Sequence, residues 1–410
     1  MSRDDPPTRA LATDTASPSS ITAFVPAPPC STSEELSSRS APLIENLDAD
    51  MARMGALRQP VADLQLRRAA PVYRLPAELL SEIFIYLAES DFLGYNSRKE
   101  GEHYAAHLIA VTVAYVCVFW RATALGTPRL WSRIRVGYAT RHLDAYVGTC
   151  VKLSKQHTLD IHCTSSMHMP AVVALTLPHA QRWGSICLHG LFEDFCSIPL
   201  GHHFARLREA DLAIDPPIDD EARAFEFLAD APSLRRVEVY GVTSSDYEPT
   251  KLPSSWELTR LQVDVDDRCR VRPLVAMFAQ YQATLENLAC MFDDYIPHGV
   301  VGEGVIDPIQ FPALRSIELS VHAFRLLPYI IAPNIRNITL INMDEDKYSY
   351  TCLLAFLIFP SASPLRHLRR LSMMEKHHFN DSEDASFTLL ACLALMDDLQ
   401  ELKIECTAAR

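Results

Sequence analysis

Apolar residues fall on more than one side of a helix in the segment VYRLPAELLSEIFIYL, Val72 to Leu87. Pro76 fits a first helical turn, where a missing N–H costs nothing, and Glu78 in that turn suits the positive end of the helix dipole. At about 100° per residue, Leu79, Leu80, Ile83, Phe84 and Leu87 form one stripe, while Ile85 and Tyr86 point to other sides. One stripe serves a domain's own core. The remaining apolar surface predicts either a partner or full burial in a larger domain. In and just before a second segment, Ala114 to Val136, the residues Val113, Val116, Cys117, Trp120 and Ala124 share a helical face. Its β-branched content fits a buried strand equally well. Gly126 then ends the element, and Thr127-Pro128 starts a turn toward Leu130 and Trp131.

Further along, a different pattern recurs: apolar-x-x-apolar-x-apolar. It reads WGSICL, LREADL, LRRVEV, LTRLQV, LENLAC, LRSIEL, IRNITL, LRRLSM and LQELKI, ending at Leu188, Leu212, Val239, Val263, Cys290, Leu319, Leu340, Met373 and Ile404. Successive ends are 21 to 33 residues apart, close to the period of one strand plus one helix per unit. Helical stretches lie between the strings. RPLVAMFAQYQATL has Pro273 near its first turn, and DSEDASFTLLACLALM opens with Asp381 and Asp384. The pattern predicts stacked units that share one continuous core.

The start of the chain is different in texture. Residues 1–40 are rich in Pro, Ser, Thr and Ala and predict a disordered tail. Residues 41–70 carry Ile44, Leu47, Met51 and Met54 at helical spacing, continued by Leu57, Val61 and Leu64 with Pro60 as a break, which predicts an amphipathic helical segment, packed on the adjoining domain or forming a short coiled-coil arm.

Three blocks in order carry a resemblance: Leu75-Pro76-x-Glu78-Leu79-Leu80-x-Glu82-Ile83-Phe84, then Val116-Cys117-x-x-Trp120-Arg121-x-x-Ala124, then Thr127-Pro128-x-Leu130-Trp131. Together they resemble an F-box of the fungal F-box-like type, over residues 71–136. The resemblance implies a three-helix module that docks on a Skp-type adaptor, and through it on a cullin–RING ubiquitin ligase. It implies adaptor contacts at Leu75, Pro76, Leu79, Ile83, Val116, Cys117 and Trp120. Two features depart from the family: residues 88–107 form a long polar insertion, and Val118-Phe119 stands where polar or basic residues are usual. Residues 137–410 resemble the degenerate leucine-rich repeats that often follow an F-box. The fold class expected is therefore α/β, a small helical module followed by an irregular leucine-rich-repeat solenoid. An asparagine ladder is missing, because the position three residues past each string is Asp215, Asp266 or Asp293 in three units and Val242, His322 or Met343 in others.

Charge narrows the function. Among 410 residues, Lys plus Arg number 38 and Asp plus Glu 51, a net charge of −13. Without a long basic block this disfavours nucleic-acid binding and favours a basic protein partner. No stretch reaches the roughly 18–20 apolar residues of a membrane helix. The N-terminal twenty residues hold no apolar signal region, so the 11 cysteines are expected to stay reduced, in cytoplasm or nucleus.

Signals for catalysis are weak. Neither G-x-S-x-G nor G-x-x-x-x-G-K-[ST] occurs, and GVVGEG, Gly299 to Gly304, lacks the lysine. Cys187, Cys196, His202 and His203 lack the spacing of a zinc site, and no cofactor is expected. The reading is a non-enzymatic substrate receptor, with a stand-alone repeat scaffold as the alternative. Asp215, Asp266 and Asp293 follow their strands at equal phase, and Asp344 one residue later. Stacking predicts that they line one acidic rim for a Lys/Arg-rich target, unless they merely cap helices.

Overall fold

The computed structural model describes residues 75–93, 109–215, 225–242, 252–265, 271–292, 307–343, 348–358, 367–375, 383–396 and 398–406. The amphipathic segment at 41–70, the tail before it, and the acids Asp266, Asp293 and Asp344 lie outside these residues.

Among the described residues four helices come first: α1 (Ala77–Leu93), α2 (Ile109–Val116), α3 (Val118–Leu125) and the single turn α4 (Pro128–Trp131). Helix α1 buries Leu80, Phe84 and Ile85 and continues through Leu93, six residues into the stretch expected to be an insertion. The single helical face expected from Val113 to Ala124 does not form. Cys117 is extended (φ −161°, ψ 172°) and splits the segment into α2 and α3. Its Sγ accepts the Trp120 backbone N–H at 3.4 Å, which supplies the N-cap of α3. Val113 and Ala114 are buried from α2, and Thr123 and Ala124 from α3. Trp131 Nε1 donates to the Ala124 carbonyl at 2.8 Å, and the Phe84 and Trp120 rings lie 5.0 Å apart. Glu89 of α1 accepts from both Arg129 (2.9 Å) and Arg133 (3.1 Å), tying the helices to the first strand.

The strands follow in chain order as β1 (Arg133–Val136), β2 (Leu159–Cys163), β3 (Trp183–Leu191), β4 (Glu209–Asp215), β5 (Arg236–Val242), β6 (Arg260–Val265), β7 (Asn287–Phe292), β8 (Ile309–Gln310), β9 (Ser316–Ser320), β10 (Ile330–Ile331), β11 (Asn337–Met343), β12 (Arg370–Glu375) and β13 (Glu401–Cys406). Strands β8 and β10 pair separately, and the other eleven form one open sheet whose spatial order is the chain order. Every pairing is parallel.

Register explains the recurring strings. Val136, Cys163, Leu188, Leu212, Val239, Val263, Cys290, Leu319, Leu340, Met373 and Ile404 form one row of partners across the sheet. The last nine are the string ends. All but Ile404 are buried. Between the strands lie α5 (Leu143–Leu153), α6 (Met169–Thr176), α7 (Phe192–Cys196), α8 (Val271–Ala279), α9 (Tyr348–Ile358) and α10 (Glu383–Ala394), with short 3₁₀ segments. Pro273 falls in the first turn of α8, and Asp384 in that of α10. Apolar side chains of these helices join the buried strand residues in one hydrophobic core. It runs from Leu80 to Met396 without a break at residue 136. Strand burial alternates, as in β2 and β6, so the second face of the sheet is half exposed. A bulge in β5 falls at Gly241 (φ +76°), where a Cβ would overlap the Ile214 carbonyl.

Candidate functional site

Helix α1 has two apolar faces. Leu80, Phe84 and Ile85 face the core, while Leu79 (53% exposed), Ile83, Tyr86 (69%) and Leu87 face outward. Spacings of four, three and one residue place these four side chains along one outer strip. Tyr115 and Val116 of α2 and Val118 of α3 are exposed as well. The Arg121 guanidinium sits 5.6 Å from the Tyr115 ring and donates to the Ala114 carbonyl at 2.9 Å, bracing the end of α2. Among the residues expected at an adaptor contact, Pro76, Leu79, Ile83 and Val116 are exposed, and Leu75, Cys117 and Trp120 are half-buried. Cys117 and Trp120 are engaged within the helical module, one as a cap and the other against Phe84. Tyr86 and Tyr115 were not foreseen among the contact residues, whereas Val118-Phe119 was expected either to pack on the insertion or to extend the interface, and Val118 is exposed. For Tyr86 the signal was its position off the buried stripe.

The open face of the sheet carries polar chemistry at its centre. Cys187, Asp211, Glu238 and Gln262 are partners in one row across β3 to β6. They occupy the position between the last two apolar residues of successive strings, so their common phase was readable. Tyr240 Oη donates to Glu238 Oε2 at 3.1 Å, and Gln262 Nε2 donates to Tyr240 Oη at 3.4 Å. Burial pushes the Asp211 carboxyl up to about 6, partly offset by a hydrogen bond from Cys187 and reinforced by Glu238. Burial and the nearby Asp211 raise the Cys187 thiol well above its ordinary range, so it is a poor nucleophile at neutral pH. Beside this row, Ser185 Oγ donates to Asp160 at 3.0 Å, and Arg133 lies 3.8 Å from the same carboxylate.

Asp215 ends β4, and its Oδ1 lies 3.1 Å from His189 Nε2. It is the only member of the expected acidic rim among the described residues. His203 Nδ1 meets Asp230 at 2.8 Å. No group of three or more His, Cys, Asp or Glu side chains among the described residues is arranged to hold a metal ion. None of the described helices is long and apolar enough to cross a membrane.

No family model and no curated protein matches the chain.

Proposed function

We propose that the chain is a substrate receptor. Its helical module acts as an F-box that docks on a Skp-type adaptor of a cullin–RING ubiquitin ligase. Its sheet and helices act as a leucine-rich-repeat-like solenoid that holds a protein target. Ubiquitin chemistry lies on other subunits, and this chain contributes proximity and orientation.

The outward strip of α1 carries the reading. A helix that already buries Leu80, Phe84 and Ile85 has no folding reason to keep Leu79, Ile83, Tyr86 and Leu87 in water. The four side chains are 41–69% exposed, so burying what remains contributes roughly 3–6 kcal/mol gross, one share of what a specific interface needs. The parallel stacking of eleven strands in chain order, nine of them carrying a string, supports the repeat reading. The core shared between helices and sheet favours a second reading, in which the helices are only the cap of a stand-alone scaffold.

Co-purification separates the two. Ile83→Asp with Leu75→Ala changes exposed or half-buried residues and leaves Leu80 and Phe84 in place. The variant is expected to melt as wild type does and to lose the adaptor, because a carboxylate buried without a partner costs several kcal/mol. Adaptor recovery at the wild-type level, or none with the wild-type chain, favours the scaffold.

A further inference from the structure

Arginines scattered along the chain converge on one edge of the sheet. At the entry side of the strands, each layer's first residue donates its backbone N–H to the carbonyl of the layer before. This column runs from Arg208 through Arg369 with bonds of 2.8–3.0 Å. Five of its seven residues are arginine: Arg208, Arg235, Arg315, Arg336 and Arg369, with Thr259 and Glu286 between. The next position in register adds Arg236, Arg260 and Arg370. Glu257, Glu209 and Glu401 pair with Arg235, Arg236 and Arg370 at 3.0, 3.3 and 2.9 Å. Arg208, Arg260, Arg315, Arg336 and Arg369 make no ion pair among the described residues.

This arrangement costs stability. Arg315, Arg336 and Arg369 stand in three successive layers, at a spacing of about 4.8 Å, and like charges directly opposite one another repel. No acid of the described residues pairs with any of the three. The cationic edge is the opposite in sign to a chain of net charge −13. Two clefts open along it. One of about 470 Å³ lies at Arg208, Arg235, Arg236 and Arg260, and another of about 300 Å³ at Arg315, Arg336 and Asn334.

We propose that this strand-entry edge binds an extended, Asp/Glu-rich peptide segment of a partner protein. The column from Arg208 to Arg369 spans roughly 29 Å, the length of about nine extended residues. Guanidinium groups take carboxylates in a bidentate grip, and a partner that neutralises the column relieves its internal repulsion. Nucleic acid fits the edge less well. Neither cleft is lined by a Trp, Tyr or Phe side chain on which a base could stack, and His367 at the second is the one ring. The inference does not depend on the adaptor reading.

Fluorescence anisotropy of a labelled twelve-residue glutamate peptide on the full chain tests it. Saturable binding is expected in 50 mM salt, at least tenfold weaker in 300 mM. Arg315→Glu, Arg336→Glu and Arg369→Glu together are expected to weaken it at least tenfold. The three side chains are exposed, so the melting curve should hold, and glutamine at the same positions carries the test if it does not. A control with the same charge change elsewhere, Arg141→Glu, Lys152→Glu and Lys155→Glu, is expected to bind within threefold of wild type. The proposal is overturned by no binding in 50 mM salt, by equal losses in edge variant and control, or by twelve-residue oligothymidylate binding more tightly than the peptide.

Discussion

Asp211 is held charged at neutral pH in a place that resists the charge. Its folded carboxyl titrates at about 6 against an ordinary 3.8. A raised folded value means that the group's contribution to stability is present below about pH 4 and is lost as pH rises through about 6. Asp211→Asn removes the charge and keeps an acceptor for Cys187. It is expected to stabilise the protein by about 1–2 kcal/mol at pH 7.5, allowing for partial exposure, with the difference gone by pH 4. Urea unfolding of both forms at the two pH values checks this, and an equal difference at both would reject it. Residues of this kind were half legible. The strings mark which side chains face the core, and therefore which alternate ones face out. Stacking the strings aligns Cys187 and Glu238 beside Asp211, but it does not show how deeply Asp211 is buried, which is what raises its carboxyl most.

Trp120 decides how the helices hold together. Its ring lies on Phe84 of α1, while its backbone N–H is bound by Cys117, so it locks α3 against α1 from both ends of the residue. Trp120→Ala is expected to cost about 2–4 kcal/mol and to open residues 109–131 to limited proteolysis before the sheet is cut. An unchanged cleavage pattern would show that the pair contributes nothing. At this scale the sequence misled in one place. Periodicity ran a single face through Val116 and Cys117, but a cysteine able to cap the next helix interrupts the backbone there. Two strands of the main sheet also escaped notice. Trp131-x-x-Ile134-x-Val136 fits the repeated string, yet it lies inside the stretch that resembles an F-box. Strand β2 alternates Leu159, Ile161 and Cys163, but its string would begin at exposed Thr158, and the register to β3 shifts beside it.

The charge of the whole chain is a poor guide to where charge sits. An average of −13 predicted an acidic protein for a basic partner, and the sheet edge is cationic. Apart from the neighbouring pairs 235/236 and 369/370, the edge arginines lie at least 21 residues apart, so no run betrays them. Only parallel stacking at constant register brings them into one column. The same stacking has a mechanical consequence. Spatial order equals chain order, so tension on the two ends acts across the layers and peels the outermost strand rather than shearing many ladders together. Held between optical traps, the sheet should lengthen in a staircase. Each stair frees one unit of 21 to 33 residues, or roughly 70–115 Å of chain. A single rupture spanning all layers would mean that they yield as one body.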